Sequence, residues 1–152
     1  MSIALPLNPS EEELVQACVE RQAWAQQRLY EVHYKAMMAV CLRYSNSADD
    51  AYDILYEGVL KVLLNMKSYE PGTLLTAWIR RIMVNTAIDY YRRESRRTTS
   101  DIDEARGLHC KVSSPIDQMA AEQILIAVQQ LPPMYRAVFN MFAIEGYSHR
   151  EI

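Results

Sequence analysis

Residues 78–97 read WIRRIMVNTAIDYYRRESRR, and the fold follows from this stretch. Apolar residues recur at three- and four-residue steps through Leu75, Trp78, Ile79, Ile82, Thr86 and Tyr90, which makes one buried stripe of an α-helix. Arg81, Asn85, Asp89, Arg92 and Arg96 fall on another face of the same helix. The stretch holds six arginines against Asp89 and Glu94, a net charge of +4 on a chain whose formal total is −3. Everything outside it therefore sums to −7. A cationic helix on an otherwise acidic chain points to a localised polyanion site, because phosphate contacts need Lys or Arg and solubility elsewhere does not.

Working outward, the 152 residues are 50% hydrophobic, enough for one ordinary core or two small ones. With 23% charged residues and four glycines, the chain is neither low-complexity nor disordered as a whole. No apolar run approaches the roughly 20 residues that span a bilayer. The opening MSIALPLNPSEEEL lacks the basic start and long apolar block of a secretory signal. Cys18, Cys41 and Cys110 are odd in number, widely spaced and without a CxxC pair, so inert thiols in a reducing cytoplasm are expected.

Pro9 and Ser10 before Glu11, Glu12 and Glu13 mark a helix start, with acids in the positive first turn. Helical periodicity then runs from Leu14 through Cys18, Trp24, Leu29, Met37 and Cys41 to Tyr44. Ser45-Asn46-Ser47 breaks it, and Asp49 and Asp50 open a helix with Ile54, Leu55, Val59, Val62 and Leu63 on its apolar face. A Pro71-Gly72 turn leads into the cationic helix. Thr98–Gln118 loses periodicity and gains Ser, Thr, Asp, Gly and Pro, the composition of a tether. Helices are expected over Ala120–Leu131, stopped by Pro132-Pro133, and over Met134–Ile144. Ser148 with Glu151 three residues later forms a capping box for one more helix. Ile152 stands one turn into that helix, so the second unit is expected to be incomplete. Its apolar faces at Val138 and Phe142 are then expected to bury against something other than their own missing partner helix. No β alternation appears, and the fold class is all-α.

Four arginines near a helix end offset the helix dipole without any ligand. Their interleaving with Trp78, Asn85, Tyr90 and Tyr91 fits nucleic acid better: arginine grips phosphate, aromatics stack on unpaired bases, and an amide reads base edges. Trp78 also suits the core. Asp50, Asp53 and Glu57 share a helical face, but no histidine accompanies them, so a basic protein partner is a better reading than a metal. No nucleophile elbow, phosphate loop or acid–base pair is present to support catalysis. LPPMYRAVFNMFAIEGYSHREI reads as the front half of a helix-turn-helix, with the major-groove recognition helix missing.

Three of these segments together resemble the sigma-70 family of bacterial RNA polymerase specificity subunits, in its compact extracytoplasmic-function group. Asp53-Ile54-Leu55-Tyr56-Glu57 with Val59 and Val62 resembles the D-L-V-Q-E helix that docks on the polymerase clamp helices. Trp78-Ile79-Arg80-Arg81-Ile82 with Asn85, Ala87, Asp89, Tyr90, Arg92 and Arg93 resembles the W-L-x-R-I-A-x-N-x-x-x-D-x-x-R-R signature of the −10-binding helix. Leu131-Pro132 through Glu145-Gly146-Tyr147-Ser148 and Glu151-Ile152 resembles the start of the −35-binding domain. Tyr56 replaces the usual Gln, Val59 a frequent Phe, and Leu74-Leu75 the common Ser-Phe.

The resemblance implies a region 2 domain over 10–97, a flexible linker over 98–118 and a partial region 4 helix-turn-helix over 119–152. It implies a cytoplasmic, non-enzymatic sigma factor, without cofactor or metal, that binds core RNA polymerase and promoter DNA and directs transcription initiation. DNA contact is expected from Trp78, Arg80, Arg81, Asn85, Asp89, Tyr90, Arg92, Arg93, Arg96 and Arg97. Polymerase docking is expected from Asp50, Asp53, Tyr56, Glu57 and Lys61. An anti-sigma factor is a further expected partner, and no membrane insertion is expected. The competing reading is a helical adaptor that has lost promoter function.

Overall fold

The structure, a computed structural model, describes residues 8–97, 121–148 and 150–151. The tether at 98–118 lies outside the described residues. Helices α1 (Glu11–Val19), α2 (Ala23–Tyr44), α3 (Ala48–Leu64) and α4 (Leu75–Arg97) come first, with a 3-10 turn at Met66–Ser68. Helices α5 (Ala121–Gln130) and α6 (Pro133–Phe139) follow, and α6 runs on into a π-helical turn at Asn140–Ile144.

Each start has a local cause. Ser10 and Glu13 exchange side-chain and backbone hydrogen bonds at 3.2 Å each, a complete capping box for α1. The Ser47 hydroxyl accepts the Asp50 backbone N–H at 3.1 Å and caps α3. Pro133 opens α6 at a position whose N–H has no helical partner to lose.

The expected unbroken periodicity from Glu11 to Tyr44 is interrupted at Glu20-Arg21-Gln22. Arg21 adopts φ +61, and the Arg21 and Gln22 N–H groups donate to Cys18 and Ala17 carbonyls at 3.0 Å each. That is a Schellman stop with arginine where glycine is usual. No glycine or proline flags it, so periodicity alone ran through. Arg21→Gly relieves the left-handed penalty at some entropic cost. The expected net gain is about 0.5–1 kcal/mol, read as a melting temperature higher by about 2 °C.

Helix α4 lies against both α2 and α3. Its buried face is accordingly wider than the sequence stripe: Leu75, Ile79 and Thr86 are buried, and so are Met83, Val84, Ala87 and Ile88. Trp78, Ile82 and Tyr90 are half-buried at the margins. Gly58 lets α3 approach α4, since a Cβ there would stand 2.4 Å from Met83 Sδ. Ile54, Leu55 and Val62 from α3 and Met37, Val40 and Cys41 from α2 complete the centre, each large aliphatic contributing about 1.5–3 kcal/mol. Burial pushes the Cys18 thiol up to about 11 and Cys41 to about 12, which keeps both unreactive as thiols.

Helices α5 and α6 seat on the end of α2 through polar groups. The buried Arg136 donates to the carbonyls of Ser45 (2.6 Å), Leu131 (2.9 Å) and Gln129 (3.0 Å) and to Asn46 Oδ1 (2.7 Å). Buried Asn140 donates to the Arg43 carbonyl at 2.7 Å, and Gln129 to the Leu42 carbonyl at 3.2 Å. The last carbonyls of a helix lack intrahelical partners and favour cations, so α5 and α6 cap α2 from outside. Val128, Ala137 and Met141 fill in around these bonds.

The expectation for Val138 and Phe142 is therefore corrected. They are 39% and 49% exposed, because the face turned to α2 is the one carrying Arg136 and Asn140. After Ser148, the Glu151 carboxylate accepts the Ser148 backbone N–H at 2.7 Å and its hydroxyl at 3.0 Å around a turn at Arg150-Glu151. His149 and Ile152 lie outside the described residues.

Candidate nucleic-acid interface

The exposed face of α4 carries Arg81, Asn85, Asp89, Arg92 and Arg96, the alignment that 3.6-residue periodicity dictates. Among the described residues, no acidic partner lies within 4 Å of Arg81, Arg92 or Arg96. These three guanidinium groups are available to an external anion. Arg97 closes the helix, and nothing further is described of its side chain.

The other candidate cations are engaged. Arg93 donates to Glu57 at 2.7 Å, and this carboxylate partner raises the guanidinium pKa further. It also lies 5.7 Å from the Tyr90 ring centre. Lys61 reaches Glu57 at 3.6 Å and Asp89 at 3.9 Å, joining α3 to α4 through one small charge network. The Tyr90 hydroxyl donates to Asp50 at 2.8 Å, and burial together with this carboxylate pushes its pKa well up. Arg80 donates to Glu145 through Nε at 3.2 Å and through its terminal nitrogen at 3.1 Å. Trp78 is half-buried and meets the Tyr69 ring edge-on at 5.5 Å, so it packs with the core margin.

Two groups kept apart in the sequence reading thus share one body. Asp50, Glu57 and Lys61, expected on the docking helix, touch Tyr90, Arg93 and Asp89, expected on the DNA helix. Glu57, Lys61, Asp89, Arg92, Arg93 and Arg96 line a cleft of about 400 Å³ with a net charge of +2. Asp53 stays exposed beside it.

On the outer side of α3, Tyr52, Tyr56, Leu60 and Leu64 recur every four residues and all are exposed. Tyr56 and Leu60 reach 62% and 57%, and Tyr56 stacks on Tyr52 at 6.1 Å. An apolar ridge of this kind, bordered by Asp53, has the makeup of a protein-docking surface. Sequence reading missed Leu60 and Leu64 in that role, although their four-residue spacing from Tyr56 was the available signal. It also missed Arg43 and Glu145, which pair at 3.0 Å across 102 positions of sequence.

No helix among the described residues is long and apolar enough to cross a membrane. A family model for sigma-70 region 2 matches residues 29–97, which takes in most of α2 and all of α3 and α4. The ECF RNA polymerase sigma factor EcfG of Rhodopseudomonas palustris is 27% identical, over 76% of this chain and 64% of its own length. The ECF RNA polymerase sigma factor SigE of Mycolicibacterium smegmatis is 28% identical, over 79% of this chain and 48% of its own. The chain thus spans about half to two thirds of these relatives. A co-crystal structure of the sigma factor RpoE with the anti-sigma factor NepR from Bartonella quintana shares the fold, with a TM-score of 0.51 and 19% identity. That likeness covers 82% of this chain and 78% of RpoE.

Proposed function

We propose that the chain is a sigma-70 family protein of the extracytoplasmic-function group, which binds core RNA polymerase and directs promoter recognition and transcription initiation. The observation that carries this reading is the α3–α4 pair. The packed pair offers a docking ridge at Tyr56 and Leu60 on α3 and, on α4, the exposed Arg81, Arg92 and Arg96 without an acidic partner among the described residues. The Glu57–Arg93 and Asp50–Tyr90 bonds fix the two helices against each other, so engaging polymerase through α3 sets where α4 meets DNA.

On this reading residues 10–97 form the unit that docks on the clamp helices and grips the −10 element. Residues 98–118 are the tether, and 119–152 belong to a helix-turn-helix unit directed to the −35 side. Arg81, Arg92 and Arg96 take phosphates, Asn85 reaches base edges, and Tyr91 and Tyr90 border the melted strand. The chain performs no catalysis of its own; it supplies an address to the enzyme that does, in the cytoplasm. RpoE is bound by an anti-sigma factor, and a protein inhibitor of that kind is the remaining partner we assign.

Size-exclusion chromatography of the purified chain with core polymerase tests the reading. Co-elution is expected. Separate elution of a folded chain leaves the adaptor reading in its place.

A further inference from the structure

The segment after the π-helical turn places a carboxylate on the cationic helix. Glu145, only 10% exposed at its side chain, takes Arg43 at 3.0 Å and both the Nε and a terminal nitrogen of Arg80. Gly146, Tyr147 and Glu151 line the adjoining cleft with Ala77, Arg80, Arg81 and Val84. The segment is held there by the Arg136 and Asn140 bonds to the end of α2, independently of Glu145 itself. A carboxylate and a phosphate oxygen are the same kind of acceptor for a guanidinium. A phosphate that seeks the Nε and terminal nitrogen of Arg80 in the same paired geometry must therefore displace Glu145.

We infer that the Glu145 turn is an autoinhibitory latch: it occupies Arg80 as an internal substitute for a DNA phosphate and holds the start of the −10 helix closed in the free chain. This rests on the proposed DNA-binding reading of α4. The latch is graded by position. Arg80 near the start of α4 is engaged by Glu145, whereas Arg92 and Arg96, more than three turns further along the helix, stay open for first contact. Initial capture at the far end followed by displacement of Glu145 gives the chain a low basal grip and a higher one once the second unit is drawn away.

The test uses the full 152-residue chain, a fluorescein-labelled single-stranded DNA of mixed sequence, and anisotropy over a salt series. Glu145→Gln frees Arg80, and Glu122→Gln, exposed in the first turn of α5, removes one charge of the same sign elsewhere. One extra phosphate contact on a single strand steepens the log–log salt slope by about 0.7, or about fivefold in affinity at 0.1 M salt. E145Q is expected to show that gain, E122Q is not, and Arg80→Ala is expected to cancel it in E145Q while changing the parent little. Arg136→Met, which undocks the segment without altering Glu145 or Arg80, is expected to reproduce the gain. Equal binding by E145Q and E122Q overturns the latch. If Arg81→Ala/Arg92→Ala/Arg96→Ala still weakens binding in that case, the DNA reading stands without the latch. Absence of binding by both the parent and E145Q overturns the two together.

Discussion

Replacing Arg81, Arg92 and Arg96 together by alanine is expected to weaken binding to single-stranded promoter DNA about 100-fold at 0.1 M salt. These arginines lie on the exposed face of α4 with no acidic partner within reach among the described residues. Each neutralised phosphate on a single strand contributes about 0.7 to the log–log salt slope, so three losses flatten it by about two units, two decades at that salt. All three side chains are exposed, and the helix core at Ile79, Met83 and Ala87 is untouched, so circular dichroism and melting temperature should stay near the parent's. Arg93→Ala is the instructive contrast. Arg93 is already bonded to Glu57 at 2.7 Å, so its removal in the free chain flattens the slope by less than the loss of Arg92. Fluorescence anisotropy across a salt series reads the triple variant, Arg92→Ala and Arg93→Ala alike. A slope unchanged in the triple variant would mean that these charges only offset the dipole of α4.

Changing Asp53 to Lys and Tyr56 to Ala is expected to abolish co-elution with core polymerase. Tyr56 is 62% exposed at the middle of the α3 ridge, where an aromatic anchor that becomes buried is worth 2 kcal/mol or more, at least about 30-fold in Kd. Asp53 lies one residue position off that ridge, and among the described residues no hydrogen bond or ion pair joins it to α4, so reversing it leaves the Asp50–Tyr90 and Glu57–Arg93 bonds in place. Glu57 is the poorer choice. Its reversal would also break the Arg93 and Lys61 contacts and disturb the DNA face from behind. Retained co-elution, with helical content intact, would move the docking surface away from α3.

The helices were legible where local chemistry announces them. Ser10 with Glu13, Ser47 with Asp50, and Pro71-Gly72 each leave a signature within four residues. The Arg21 stop was not legible, because its left-handed conformation is imposed by packing of α1 on α2 and carries no glycine. The arginine face of α4 could be counted from periodicity, but which arginines are free could not. That depends on Glu57, one helix away, and on Glu145, 65 positions from Arg80. Arg136 is the clearest instance. In LPPMYRAVF it reads as a solvated helix residue, yet its guanidinium is buried against α2, with burial pulling its pKa down. Long-range polar pairing of this kind leaves no periodic trace.

On the proposed function, this chain turns core polymerase into an enzyme that opens promoters. Permanganate probing of unpaired thymines on a library of the host's own promoter DNA, with core polymerase alone and with the chain added, reads this opening. The expected result is reactivity confined to the −10 region of a small set of promoters, dependent on the chain and lost with the Arg81, Arg92 and Arg96 triple variant. A chain that co-elutes with polymerase yet opens no promoter DNA contradicts it.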